Sequence, residues 1–283
     1  MADKPTHSAT AALITAQGFR AFCVLTFVLS WGIGGAYIGL RSCLPALPPL
    51  DGHNPVFALT NGAPSLAAVI VVARRSGFGG VRSLLASLVR PFRWVWLAVA
   101  VLLFPVAVWV LSAGAAGLHR AWPVTPDQAF RVMPWALLTT PVLFANIAPI
   151  GEELGWRGLA LPYLLGRHKP LTASLILGLI RIAWHLPAFV LGGMMVTPLA
   201  DLGWWCLGEL ALTVVMTMLF LRAHGNVLVA GIVPHVLVNA LGRLGDWASR
   251  PAEALIMLVW AGIALCVTPR SRYDGSHEHA RNP

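Results

Sequence analysis

The chain is poor in charge. Of its 283 residues only 11% are Asp, Glu, Lys or Arg, against roughly 25% in an average soluble domain. Hydrophobic residues reach 57%, and several apolar runs carry no charge at all, which argues against a water-soluble helical protein. Cysteine is scarce and scattered, at Cys23, Cys43, Cys206 and Cys266, with no Cys-x-x-Cys spacing that would suggest a zinc or redox site. No known nucleic-acid-binding motif and no aromatic-interleaved basic strand accompanies the formal charge of +9, and a nucleic-acid partner is not implied. Internal repeats are absent, which speaks against the repeat architecture of secondary transporters. No soluble domain is expected either, since the longest extramembrane stretch, residues 74–93, is too short to fold alone.

What the chain does have is apolar length. Windows of about 20 apolar residues, enough to cross the hydrocarbon, occur near 20–40, 55–73, 94–118, 133–151, 172–192, 203–221, 226–243 and 252–268. The reading is an all-α polytopic membrane helix bundle of about eight transmembrane helices. Residues 19–268 form a single membrane-embedded domain, between polar tails at 1–18 and 269–283. The first run starts near residue 20 and continues at full transmembrane length, unlike the short apolar stretch of a cleavable signal peptide. Pro134, Pro141 and Pro149 predict kinks in the fourth run, and Asn61-Gly62 predicts a short or broken second one. His277 and His279 fall in the C-terminal tail and are read as solvated.

With eight spans, the termini share one side with the even-numbered loops. That side carries fourteen Lys and Arg residues and the other carries five, Arg41, Arg120, Arg131, Arg243 and Arg250. The positive-inside rule then places both termini in the cytoplasm. The net charge is therefore mostly topological, and the arginines between Arg74 and Arg93 also suit anionic lipid headgroups.

Against this apolar background the intramembrane polar residues stand out. Glu152 and Glu153 close the fourth run, Arg157 follows four residues later, and His185, His235 and Asn239 lie inside later runs. Ionisable groups at such depth are expensive and mark function. Helix neighbours point about 100° apart, whereas residues four apart share a face. Arg157 is therefore expected to hold Glu153, leaving Glu152 free to take a proton. Gly151, Gly155 and Gly158 allow close helix approach around this segment. His235 and Asn239, also four apart, can point two donors at one oxygen, as an oxyanion hole requires; packing by polar glue between helices is the other reading.

Taken together, Gly151-Glu152-Glu153-Leu154-Gly155-Trp156-Arg157-Gly158, Trp184-His185-Leu186-Pro187 and His235-Val236-Leu237-Val238-Asn239 resemble the three motifs of the CAAX protease and bacteriocin-processing family of intramembrane proteases, which includes the type II CAAX prenyl endopeptidase. The match covers about residues 144–240. The resemblance implies an eight-helix protease core with an intramembrane catalytic cavity open to the cytoplasm. It implies hydrolysis of a peptide bond in a membrane-anchored or membrane-proximal substrate, of prenylated CAAX type in part of the family. By the same resemblance Glu152 is the general base, acting with His185 on the attacking water. His235 and Asn239 stabilise the oxyanion, and Glu153 and Arg157 complete the first motif. The family is classed as metallo-endopeptidase, and a metal-free glutamate-base mechanism competes with that class. If a divalent metal such as zinc binds, Glu153, His185 and His235 are its expected ligands, although no His-Glu-x-x-His spacing is present.

One position departs from the family pattern. Its second motif has an aromatic residue four before the histidine, where this chain has Arg181. A guanidinium one turn from the base opens two further readings, a non-catalytic immunity or scaffold protein and a transporter relay. Glu209 in the sixth run and the glutamates of the first motif are its expected carboxylate partners.

Overall fold

The structure, a computed structural model, describes residues 13–51, 54–103, 147–190, 199–243 and 250–267. Among them every regular element is helical, as expected of an all-α membrane bundle. Helix α1 spans Ala16–Cys43 and is capped by Thr15, whose hydroxyl accepts from the Gly18 N–H. Asn54 caps α2, Pro55–Asn61, in the same way, with Pro55 in its first turn. At Gly62 the chain bends by 51° into α3, Ala63–Ala86, so the second apolar run is broken where Asn61-Gly62 predicted. Gly77, with φ of 58°, kinks α3. Most of the expected 74–93 connection is thus helix, followed by the 3-10 turn Ser87–Val89 and by α4, Trp94–Leu103.

The motif-bearing half follows. Helix α5, Ile147–Gly155, runs into a π-helical turn, Trp156–Ala160, and a short α6, Leu161–Leu165. Helix α7 is Pro170–Val190 and continues through Pro187; α8 is Leu202–Arg222. A second π-helical turn, Leu228–Ile232, leads into α9, Val233–Arg243, and α10 is Arg250–Val267. By length and composition α1, α7, α8 and α10 can cross a membrane, and the bent pair α2–α3 makes a fifth. The full count of eight is not reached among the described residues. The apolar helices Trp94–Leu103 and Leu228–Asn239 are short, and most of 94–118 and 133–151 lies outside the described part, with Pro134 and Pro141. Of the expected tails, residues 1–12 and 268–283 are likewise outside it, whereas Leu13 and Ile14 are buried.

Two patterns of burial identify the solvent. Leu255, Val259, Ile263 and Val267, four apart on α10, form an exposed stripe, as do Val24, Val28 and Trp31 on α1. Such stripes are unfavourable in water and natural against lipid. Conversely, every residue of Gly151–Leu165 and of Ala211–Leu221 is buried. The core therefore takes in the π-interrupted α5–α6 segment and the second half of α8, which Arg157 and Met216 link, and the buried charge among the described residues gathers beside it.

Candidate active site

Glycine brings the α5 carboxylates into place. A Cβ on Gly155 would stand 2.5 Å from the carbonyl carbon and oxygen of Pro64, and one on Gly151 would stand 2.8 Å from the Cα of Gly62. Helix α5 can therefore rest directly on the bent α2–α3 backbone. Ser65 adds a hydrogen bond to the Ile150 carbonyl, 3.1 Å. Beyond Gly155, Trp156 stacks edge-on between Phe22 of α1 and Trp184 of α7. The Trp184 indole donates to Ser30 Oγ at 2.7 Å, and Ser30 donates to the Thr60 carbonyl at 2.8 Å. Helices α1, α2, α5 and α7 are locked in this way around the base of the site.

Above that base the charged side chains are nearly dry. Glu152 is 4% exposed, Glu153 and Arg157 0%, Arg181 1% and His235 7%. Buried charge persists only when paired, and the pairs are explicit. Arg157 donates to Glu153 at 2.8 Å, the contact that the spacing of four predicted, and its other arm reaches Met216 Sδ of α8 at 3.0 Å. His235 Nδ1 lies 2.8 Å from the same Glu153 carboxylate. A carboxylate can only accept, so Nδ1 carries the proton and Nε2 is the ring nitrogen left for chemistry. Neutral His235 thus offers Nε2 as an acceptor; it donates to an oxyanion only when the ring carries a second proton.

Arg181 sits between two carboxylates from different helices. Its NH1 is 2.9 Å from Glu209 Oε2 on α8, and its NH2 is 3.7 Å from Glu152 Oε2. Among the described residues nothing donates an aligned hydrogen bond to Glu152 Oε2 or to Glu209 Oε2, so both contacts of Arg181 are ion pairs, the one to Glu209 the closer. The Arg181 carbonyl accepts from His185 Nδ1 at 2.8 Å, so the His185 Nε2 lone pair is likewise left available. His185 is partly buried between the rings of Trp184 and Trp205. Asn239, one turn beyond His235 on α9, is half-buried.

Three of the six expected residues, Glu153, Arg157 and His235, are joined by direct contacts, and Glu152 adjoins them. Glu152, Glu153 and His235 each present a ligand atom within 4.8 Å of the others. This differs from the metal set expected from sequence, with Glu152 in place of His185. Two carboxylates and an imidazole fit the protein share of an open catalytic zinc site.

Sequence reasoning missed Gly231 altogether. A Cβ there would meet Glu153 Oε2 at 3.0 Å, so the second π-helical turn presses on the carboxylate that Arg157 and His235 hold. A glycine in an apolar run carries no signal of such a role. Ser30 and Thr60 were equally silent. Glu209 had a signal, as an acidic residue within an apolar run.

Residues 134–241 match the family described as "Type II CAAX prenyl endopeptidase Rce1-like". The "CAAX prenyl protease 2" of Methanococcus maripaludis is 30% identical over 105 residues, which are 35% of this chain and 38% of that protein. The chain thus matches little more than a third of this curated relative's length.

Proposed function

We propose, from the match of residues 134–241 to the Rce1-like family of type II CAAX prenyl endopeptidases, that this chain is an intramembrane endopeptidase. The observation that carries the reading is the convergence of Glu152 and Glu153 of α5 with His235 of α9 within 4.8 Å in a buried cluster of charge. A side-chain cluster of this kind can activate water where bulk water is scarce.

In the proposed reaction the Glu152 carboxylate, acting with His185, takes a proton from water as the oxygen attacks the scissile carbonyl carbon. The Asn239 amide stabilises the resulting oxyanion, joined by His235 Nε2 when that ring is protonated. The C–N bond then breaks, and the proton passes to the leaving amine. Arg157 and Glu153 keep His235 in place. If a divalent ion binds, Glu152, Glu153 and His235 would hold it, and it would supply Lewis-acid polarisation and an acidified water. The proposed substrate is a membrane-anchored or membrane-proximal peptide, with a prenylated CAAX-type protein as the first to try. The proposed topology has one membrane domain with both termini cytoplasmic.

Cleavage of a peptide library by purified protein in detergent tests this reading, with Glu152→Gln and chelator-treated samples alongside. Glu152→Gln keeps volume but cannot accept the proton, and turnover is expected to fall on the order of a hundredfold or more. Retained turnover would move the base elsewhere. A binding-only protein is the second reading, and the guanidinium facing Glu152 at 3.7 Å is what favours it. The shorter contact of Arg181 to Glu209, 2.9 Å, supports the protease.

A further inference from the structure

Arg181 occupies the position where the family motif has an aromatic ring, yet it is buried to 1% exposure and faces the proposed base. Its two arms are not equivalent. NH1 is held by Glu209 at 2.9 Å and lies 3.4 Å from Thr213 Oγ1, whose own hydroxyl donates to the Glu209 carbonyl at 2.8 Å. NH2 is left at 3.7 Å from Glu152. That separation is beyond a hydrogen bond but within reach of charge attraction, because hydrogen bonding falls off steeply with distance and Coulomb attraction slowly. The same residue's carbonyl holds His185 Nδ1. Arg181 therefore touches both members of the proposed base pair, one through its side chain and one through its main chain.

We propose that Arg181 and Glu209 act as a positioning couple for Glu152: Glu209 tethers the guanidinium on α8, so that its second arm aims the Glu152 carboxylate without capturing it. The proposal rests on the protease reading for its purpose but not for its geometry. A guanidinium without Glu209 would be drawn onto Glu152 as a close, two-pronged ion pair. That would occupy the lone pairs the base needs. A neutral residue at 181 would leave Glu152 without a directing charge. Both changes harm the site, and in opposite ways.

The test is the reaction of Glu152 with the hydrophobic reagent dicyclohexylcarbodiimide, read by peptide mass spectrometry on the full chain in detergent. The variants are Glu209→Gln, Arg181→Lys and the doubly neutral Arg181→Met/Glu209→Gln, each checked by thermal unfolding. In the double variant Glu152 is expected to label about tenfold faster, whereas Glu209→Gln should label more slowly than wild type. Arg181→Lys keeps a charge at the end of a long side chain and should stay within about threefold of wild type. On a farnesylated CAAX-type reporter peptide, kcat should fall about tenfold or more in both Glu209→Gln and the double variant, with KM little changed, since misplacing a base by about 1 Å is that costly. Arg181→Lys should restore part of kcat. Equal Glu152 labelling in wild type and Glu209→Gln overturns the couple, and those two proteins decide the matter if the double variant fails to fold. Wild type that labels as expected but cleaves no peptide would sink the protease reading and leave the couple standing.

Discussion

The Arg157–Glu153 pair offers the most quantitative test of the buried site. Both side chains are 0% exposed and meet at 2.8 Å, so neither ion can turn to water when the other is removed. At an effective dielectric of about 20 the gross attraction at 2.8 Å is about 6 kcal/mol. Much of it is offset by the desolvation of both ions. Arg157→Met keeps the volume but strands the carboxylate, and breaking a buried pair from one side costs about 3–5 kcal/mol. For a chain of this size that corresponds to a fall in apparent Tm of roughly 6–20 °C. The Glu153→Gln/Arg157→Met double variant removes both charges, and the side-chain carbonyl of the introduced glutamine can still accept from His235 Nδ1. It should recover most of the loss, with a coupling of at least about 2 kcal/mol. Intrinsic fluorescence of the 12 tryptophans during thermal unfolding in detergent provides the readout. An Arg157→Met protein that melts within about 2 °C of wild type would refute the reasoning, because it would mean that water reaches Glu153.

Gly155→Ala should separate α5 from α3 by about 1 Å, because the new Cβ meets Pro64 backbone atoms at 2.5 Å; a stability loss of about 1–3 kcal/mol and a fall in kcat on the order of a hundredfold are expected, and wild-type kcat would show that α5 does not set the site. Gly231→Ala meets a side chain instead, Glu153 Oε2 at 3.0 Å. The new Cβ also comes within 3.2 Å of Glu153 Cβ, which cannot swing away, so stability should fall by about 1–3 kcal/mol while turnover drops about tenfold, and an unchanged kcat would remove Gly231 from the positioning of Glu153. Single cysteines introduced near each terminus should react only with membrane-permeant reagents in oriented vesicles or cells. Labelling of the C-terminus from outside would overturn the proposed orientation.

Some of this protein was fixed by local composition and spacing. A chain with 11% charge and apolar runs of full membrane length must satisfy its backbone in helices, so the all-helical class follows from composition alone. Spacing along one helix is equally local: Glu153 finds Arg157 because residues four apart share a face, and Asn61-Gly62 marks the bend between α2 and α3. Contacts between helices are not local. That His235 closes on Glu153, that Arg181 divides itself between Glu209 and Glu152, and that Glu152 takes the place of His185 in the group able to hold an ion depend on helix depth, rotation and distance. Those are set by glycine-to-backbone contacts and by two π-helical turns. No periodicity in the apolar runs announces such features, because each arises only where one helix meets another.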